Sequence, residues 1–572
     1  MDIGGKSPKN VYKYAKEGYG FMKIFQPKLF SALKNYKLKQ LPKDIIAGVI
    51  VAIIAFPLSI ALAIASGLTP ERGLYSAIIG GFMVSFFGGS RVNIGGVTAA
   101  TVMTVFTIIS EHGLVGLAVA SIMAGIILII MGLLRLGMLL KYIPRTITLG
   151  FTAAIGMGIF SGQLKSFFGF EMGDIPVKTI DKFVAYAKVI TTVDMTTLII
   201  GIIAIVIVVI LQKVAPKVPN SLVAIIITTL IVQLCNLDVA TIKSVYGELP
   251  SHFPKFEIPN FSYDMINKLL PDAFTLAILI AIVSLLACVV TDGLSGHRHN
   301  SNQELIGEGI ANIFCGFFGA VPVAGAVARA SSNVKSGGKT PVAGLIHSVV
   351  VLFILLFMMP LAGYIPMPAL AGILIVVSYN MCNFKEIIYI AKKAPASDFL
   401  VLIATFVAGV VVNLLFAVEV GIVVAALLFL NSMSQVTNVS EWEYLDDTET
   451  DKDAIGLKKV PDKTFVFEIS GPMFFAAKEK FANIPTNRTV STIILRMRSV
   501  PHMDFTALFF MEELYEKCKA NDITLIISHI QEQPLWVMKK AGFDKKVGKE
   551  NFCEHIDAAL ERAEKLLLDK KA

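Results

Sequence analysis

Charged side chains are scarce in this chain of 572 residues, where Asp, Glu, Lys and Arg make up 16% of the sequence. A soluble domain usually carries about 25%. The charges are also segregated, because long windows contain none: 45–70, 73–90, 113–134, 147–163, 218–237, 273–291, 309–328 and 340–384. A membrane-spanning helix needs roughly 20 predominantly apolar residues. The pattern excludes a large soluble protein and predicts a polytopic integral membrane protein.

Chemically reactive groups are also sparse. The six cysteines form no CxxC pair or disulfide pattern, so we expect them to be reduced and to serve packing. No nucleophile–base set or metal constellation stands on a loop, and His297 and His299 fit a solvated basic turn. We therefore expect neither an enzyme nor a bound cofactor. The net charge of +8 comes without a basic face interleaved with aromatics, which argues against a nucleic-acid partner.

Basic residues indicate the topology. Ten lysines precede the first predicted span without a short apolar core and cleavage site, so we expect a cytoplasmic N-terminus and no signal peptide. Later basic clusters, beginning with Lys141 and Arg145, all fall on the same side if the chain crosses the bilayer about fourteen times. Seven spans in each half make the halves inverted repeats, which are typical of transporters. We expect an N-terminal segment at 1–40 and a transmembrane domain at 41–438, with repeats at 41–254 and 255–438.

The character of the chain changes after residue 440. Residues 441–462 are polar and acidic, whereas 463–469, 492–497 and 523–528 carry the apolar runs or alternation of strands. An amphipathic helix is predicted at 506–519, and a last helix reaches about residue 568 with Asn551 as its N-cap. Strands alternating with helices indicate an α/β domain. We expect 439–572 to comprise a cytoplasmic linker and this domain.

Two segments in matching positions of the halves have the composition of broken helices. They are NIGGVTAAT at 93–101, opening the third span, and VPVAGAVAR at 321–329, opening the tenth. Glycine and proline beside small residues can hold unwound backbone. A helix that begins inside the membrane points unsatisfied N–H groups at the cavity, and two such ends facing each other make an anion site. The alternative is that these glycines only allow tight helix packing.

Other unusual residues border these segments. Pro57, within the first span, predicts either a simple kink or an unwound point near the site, with Ser59 as a hydroxyl donor. Arg329 either adds positive potential behind the tenth-span helix end or serves as a cytoplasmic topology anchor. Glu419 lies inside the last apolar region, where we expect it to be an interfacial cap.

Several of these motifs resemble the SulP family of sulfate permeases and related anion transporters. They are PLSIALA (57–63), GLTP (67–70), GLYSA (73–77), HNSNQELIG (299–307), GIAN (309–312), GAVAR (325–329) and NVKSGGKT (333–340). ILRMR (494–498) and VPHMD (500–504) are similar to the STAS domain attached to such transporters. The resemblance covers nearly everything from Leu41 onward. It implies a seven-plus-seven inverted repeat with core and gate domains, anion binding between the third- and tenth-span half-helices, elevator-type movement and a homodimer.

Three positions depart from the family pattern. Many members carry a carboxylate in the eighth span where this chain has Val283, so a side-chain carboxylate for sodium or proton coupling is missing there. Leu58 stands where glutamine is frequent and removes a polar contact from the pocket. Phe505 follows Asp504 where phosphorylated STAS domains have serine, which leaves Thr506 as the candidate for modification.

The sequence thus predicts a secondary transporter or exchanger of a small inorganic or carboxylate anion, such as sulfate, bicarbonate, chloride or a dicarboxylate. Backbone amides of Val97 and Thr98 and of residues 325–328 would hold the anion. The predicted substrate-binding residues are Pro57, Ser59, Leu62, Gly96, Val97, Thr98, Val283, Ala287, Gly325, Ala326, Val327, Ala328 and Arg329.

Three alternatives stay open at this point: a nucleobase permease of the same fold, a channel-like anion conductor, and a membrane sensor that signals through its STAS domain. The expected partners are the lipid bilayer, a second copy of the chain and a cytoplasmic regulator of the STAS domain. The expected location is a plasma membrane of the bacterial inner-membrane type, with both termini in the cytoplasm.

Overall fold

The computed structural model describes residues 25–34, 36–138, 143–173, 175–215, 218–441, 460–475, 484 and 490–569. Most of the predicted N-terminal segment, Lys141 and most of the acidic linker lie outside the described residues. The chain forms two compact units, Met1–Ile422 and Val423–Ala572. The domain and repeat boundaries given above remain predictions.

The first unit is almost entirely helical, as expected for apolar windows, because a helix satisfies its backbone hydrogen bonds internally within lipid. Its helices, continued by the last one into the second unit, are α1 (Lys28–Lys34), α2 (Leu41–Ala65), α3 (Pro70–Tyr75), α4 (Gly81–Phe87), α5 (Ala99–Leu133), α6 (Arg145–Phe168), α7 (Thr179–Lys188), α8 (Met195–Val214), α9 (Asn220–Leu234), α10 (Ile242–Tyr246), α11 (Tyr263–Ser295), α12 (Ser301–Phe317), α13 (Val327–Lys335), α14 (Val342–Ala362), α15 (Met367–Cys382), α16 (Phe384–Lys393), α17 (Ala396–Val411) and α18 (Leu414–Val436). Two short strands, β1 (Gly95–Gly96) and β2 (Ala324–Gly325), precede α5 and α13.

Within the described ranges, eight helices are long and apolar enough to cross a membrane, and α9 and α17 are shorter apolar helices. α5 holds two spans, because Gly113 at a φ of 66° and a ψ of −167° breaks it. α3 and α4 form one further span around a π-helical turn at Ser76–Gly80. Together with these spans and the shorter apolar helices, α12 and α13 bring the number of spans to about fourteen. The predicted fold of about fourteen spans in two inverted halves is thus confirmed.

The spans pack into two groups, each drawing on both halves of the sequence. α5 packs against α11 and α12, and α2 packs against α14, which defines a core. α6 packs against α15 and α17, and α8 against α15, which defines a gate. Glycines let the core helices approach closely: a Cβ at Gly125 would lie 2.5 Å from the Gly309 oxygen, and one at Gly309 would lie 2.5 Å from the Gly125 oxygen.

The second unit contains a five-stranded sheet in the order β3-β4-β5-β6-β7. β3 (Asn438–Glu441) pairs antiparallel with β4 (Thr464–Ser470), and β5 (Thr492–Ser499), β6 (Thr524–Ser528) and β7 (Phe552–Cys553) continue it in parallel. The helices are α19 (Phe505–Ala520), α20 (Glu532–Ala541), α21 (Phe543–Val547) and α22 (Ile556–Asp569). Two apolar clusters, one on α19 and one on α22, accompany the sheet.

The three predicted strands and the helix at 506–519 are confirmed in this unit. The prediction that Asn551 caps the last helix is wrong, because β7 follows it and α22 begins only at Ile556. Thr506 is exposed in the first turn of α19, where the Asp504 carboxylate accepts the Ala507 amide at 2.7 Å.

Candidate functional site

The two segments predicted to be broken helices meet in one small antiparallel sheet. Gly95 of β1 lies opposite Gly325 of β2, and Gly96 lies opposite Ala324. Each strand leads within a few residues into a helix, α5 after Thr98 and α13 after Ala326. Because the strands are antiparallel, the helices leave in opposite directions and both N-termini lie at the sheet. The structure therefore brings the predicted residues of both halves together at the centre of the core.

Not all of the predicted amides are free to hold a ligand. The Gly325 amide donates to the Ser284 hydroxyl at 2.8 Å, and the Ala326 amide donates to the Ile94 carbonyl at 3.4 Å. The protein itself thus occupies these two donors. First-turn amides of a helix have no intrahelical acceptor, which leaves those of Val327 and Ala328 in α13 as donors, opposite the N-terminus of α5.

Arg329 joins both strands to the first span. Its side chain is only 2% exposed, and its Nη1 donates to the Gly95 carbonyl at 3.1 Å while Nη2 donates to Ser59 Oγ at 3.0 Å. The guanidinium is bonded to two neutral oxygens rather than to a carboxylate, so its positive charge acts on the surrounding site. A surface anchor, the alternative considered from the sequence, does not fit a buried side chain.

The close approach of Arg329 requires a residue without a side chain at position 96. A Cβ at Gly96 would lie 1.6 Å from Arg329 Nη1, far inside van der Waals contact. Gly95 is also tightly enclosed, since a Cβ there would lie 2.7 Å from Val84. The glycines of the first segment are thus needed for close approach to a side chain of the second.

The first span is not unwound at Pro57. α2 runs without interruption from Leu41 to Ala65 with Pro57 inside it, so the interpretation of an unwound point is wrong. The helix tolerates the proline because neighbouring helices and Ser/Thr side chains can satisfy freed backbone groups. Here Ser59 Oγ donates to the Ala55 carbonyl at 2.7 Å and accepts from Arg329. A contact of Pro57 with the anion remains a prediction.

α11, the predicted eighth span, contacts β2 through Ser284, whose hydroxyl accepts the Gly325 amide. Val283 is half-buried, Ala287 is buried one turn after Ser284, and Leu62 of α2 is buried. A contact of these three side chains with the anion remains a prediction.

Two polar residues of α12, Glu304 and Asn312, which sequence reasoning did not assign to the site, support its two approach loops. Glu304 accepts the amides of Gly89 and Ser90 at 2.6 and 2.8 Å and the Asn93 side-chain amide at 2.6 Å. Asn312 bonds both the amide and the carbonyl of Val323 just before β2, at 2.8 and 2.9 Å. Glu308 lies between them.

The signal for these residues was present in the sequence. Positions 304, 308 and 312 repeat every fourth residue and so form one stripe along a helix. Polar residues on one face of a membrane helix are costly unless they have partners or a function.

A cavity of about 530 Å³ separates the core from the gate near the first turns of α5. Val102 and Met103 of α5 line it on the core side, and Gly162 and Gln163 of α6 line it on the gate side. Lys182 of α7 projects into it. The cavity thus lies between the core and the gate, on the side on which α7 lies.

Lys182 is an unusual cation because it is only 2% exposed. Its ammonium lies 5.6 Å from the ring centroid of Phe106 and 3.8 Å from Met103 Sδ, both on α5. Burial, which disfavours the charged form, lowers the pKa of this amine to about 8. Lys182 is thus a gate-side cation whose charge changes near physiological pH.

Comparison with known proteins bears on this arrangement. A family model described as the sulfate permease family matches residues 41–405, and a STAS domain model matches 457–560. The chain is 35% identical over 528 residues to the putative sulfate transporter YvdB of Bacillus subtilis, which covers 92% of this chain and 98% of that protein. It is 30% identical over 538 residues to the bicarbonate transporter BicA of Picosynechococcus, covering 91% of this chain and 94% of that one.

Two solved structures share the fold. The murine anion transporter Slc26a9 in the inward-facing state superimposes with a TM-score of 0.83 at 20% identity, covering 99% of each chain. The transmembrane domain of a cyanobacterial BicA superimposes with a TM-score of 0.60 at 31% identity, covering 67% of this chain and 98% of that domain.

Proposed function

Because the chain belongs to the sulfate permease family, we propose that it is a secondary transporter or exchanger of small anions. The observation that supports this most is the sheet of β1 and β2, which places two helix N-termini and the buried Arg329 together. Helix N-termini bind anions through free amides and a positive dipole end. The anion would lie between the first turns of α5 and α13, with Ser59 beside it.

The packing supports an elevator-type movement. Both half-helices and Arg329 belong to the core, while α6, α8, α15 and α17 form a separate packed group around it. A core that moves as one body against the gate would carry the anion across without rebuilding the site. The cavity between the two groups would then admit the anion on one side.

Sulfate and bicarbonate are the first substrates to test, because one relative is named a putative sulfate transporter and the other a bicarbonate transporter. Chloride and small dicarboxylates also fit a site built from amides and one cation. We further propose a homodimer in a bacterial inner membrane with both termini in the cytoplasm, and Thr506 as a site through which a cytoplasmic regulator acts on the STAS domain.

Uptake into proteoliposomes tests this function. Purified protein should take up at least one of sulfate, bicarbonate, chloride, nitrate and fumarate in a saturable way, and protein-free vesicles should not. Uracil serves as the control for a nucleobase permease, and rates far above carrier turnover would indicate a channel. Folded, inserted protein that transports none of these anions would contradict the proposal.

Anion uptake through the cavity should depend on the charge of Lys182. With a pKa of about 8, the amine is mostly charged at pH 7 and mostly neutral at pH 9, so we expect anion affinity on that side to fall by up to about tenfold across this range. Lys182→Met should show the lower affinity at both pH values, and Lys182→Arg should keep the higher affinity at pH 9. Lys188→Met, at an exposed lysine of the same helix, is the matched control. An unchanged pH profile in Lys182→Met would disprove this role.

A further inference from the structure

Glu308 is a fully buried carboxyl group within α12. It is 0% exposed, and neither of its carboxyl oxygens has a hydrogen-bond partner among the described residues. Glu304 and Asn312, one turn before and after it on α12, are both fully engaged in holding the loops that lead to β1 and β2. Support of the loops therefore does not account for Glu308.

The position of Glu308 connects it to the anion site. Its carboxyl group faces the Ser284 hydroxyl and the Gly325 amide, the pair whose hydrogen bond holds β2 to α11. α13, one of the two helices whose first turns would hold the anion, begins two residues after Gly325. A negative charge on Glu308 would thus repel an anion held at the first turn of α13.

The other titratable groups near Glu308 do not neutralise it. Glu304 and the Cys315 thiol approach it from its own helix, and the Cys288 thiol faces it from α11. The span formed by α3 and α4 has two charged side chains, Glu71 and Arg72, and both lie in α3. Glu71 bonds Thr69, and Arg72 bonds the Gly319 carbonyl just after the C-terminal end of α12. On α5 the titratable residues are Glu111 and His112, and His112 pairs with Asp272 about three turns away from Ser284 along α11.

A lone ionised carboxylate is very costly in such a place, so the group is stable there only when it carries a proton. A bound anion adds to that preference, because two negative charges repel each other. By linkage, protonation of Glu308 favours anion binding to the same degree that the anion favours protonation. Anion and proton would therefore bind together and leave together.

We propose that Glu308 carries a proton that is co-transported with the anion, one proton for each anion. The carboxyl gains the proton when the core opens to one side and releases it to water on the other side after the anion has left. The coupling group would thus lie on α12, the ninth span, because α11, the eighth span, has Val283 where many family members have a carboxylate. The inference rests on the proposed anion transport.

Accumulation against a gradient tests the inference in proteoliposomes that contain the full chain. Radiolabelled sulfate, chloride and nitrate are supplied under an inward proton gradient of about one pH unit, with the voltage clamped at zero by potassium and valinomycin. One co-transported proton should give about tenfold accumulation of the transported anion. Glu308→Gln, a neutral isostere of the protonated acid, should still equilibrate the anion but accumulate none. Glu308→Asp should restore part of the accumulation.

Two further variants serve as controls at other titratable residues. Glu419→Gln, at an exposed carboxylate of α18, should accumulate as the natural protein does. His347 of α14 is a second buried titratable group whose ring nitrogens have no hydrogen-bond partner among the described residues, and His347→Gln should also keep the accumulation. Equal accumulation by the natural protein and Glu308→Gln, or loss only in His347→Gln, overturns the inference. Uptake without any accumulation by the natural protein overturns it too, while leaving the transport function intact. No uptake of these three anions, nor of bicarbonate and fumarate, removes both.

Discussion

Replacing Arg329 with alanine should weaken anion transport about a hundredfold at limiting anion concentration. A unit charge roughly 6 Å from the anion contributes about 3 kcal/mol at an effective dielectric constant of about 20, and this corresponds to about two orders of magnitude in affinity. The substitution also leaves the Gly95 carbonyl and the Ser59 hydroxyl without their donor. The measurement is the initial rate of anion uptake as a function of concentration.

Two variants separate the charge of Arg329 from its shape. Arg329→Lys keeps the charge but loses the planar fork that reaches two acceptors at once, so we expect an intermediate loss. Lys335→Ala removes an exposed cation from the end of the same helix and should transport normally. Natural affinity in folded Arg329→Ala would show that the arginine plays no part in anion binding.

Replacing Gly96 with alanine should reduce transport at least tenfold and destabilise the protein. The added methyl group would overlap Arg329 Nη1, and the guanidinium cannot move away without losing the bond of Nη1 to the Gly95 carbonyl and that of Nη2 to Ser59 Oγ. Overpacking of this kind typically costs about 1–3 kcal/mol. Transport rates and thermal unfolding in detergent would both be measured.

A double variant shows whether the effect of Gly96→Ala comes from its overlap with Arg329. In Gly96→Ala/Arg329→Ala the guanidinium is gone, so the methyl group should add little to the loss caused by Arg329→Ala alone. Gly293→Ala, at a helical glycine of α11 whose Cβ would meet nothing within 4 Å, is the matched control. Losses that simply add in the double variant would mean that Gly96 acts independently of Arg329.

Features encoded within a short stretch of sequence were predictable. Charge-free windows indicated the spans, because burial in lipid demands apolar side chains over about 20 residues. Low helix propensity at Gly95, Gly96 and Gly325 indicated interrupted helices for the same local reason. The apolar runs of β4, β5 and β6 marked them as strands. β3 and β7 escaped prediction, since strands of four and two residues leave almost no pattern.

Features that depend on distant partners were not predictable. Glu304 bonds residues more than 210 positions away, and Arg329 reaches Ser59 across 270. Nothing in the sequence showed that the Gly325 and Ala326 amides would be taken by Ser284 and Ile94. Pro57 was over-interpreted, because a proline inside a span removes one hydrogen bond but need not unwind the helix.

The position of a bound heavy anion would show whether the anion lies between the N-termini of α5 and α13. Crystals of the purified protein would be grown with bromide or selenate in place of chloride or sulfate, and anomalous scattering would locate the anion. We expect a peak within hydrogen-bonding reach of the first-turn amides of α5 and α13, and its loss in Arg329→Ala. Full occupancy elsewhere, for example only at Lys182, with no peak at the sheet of β1 and β2, would contradict it.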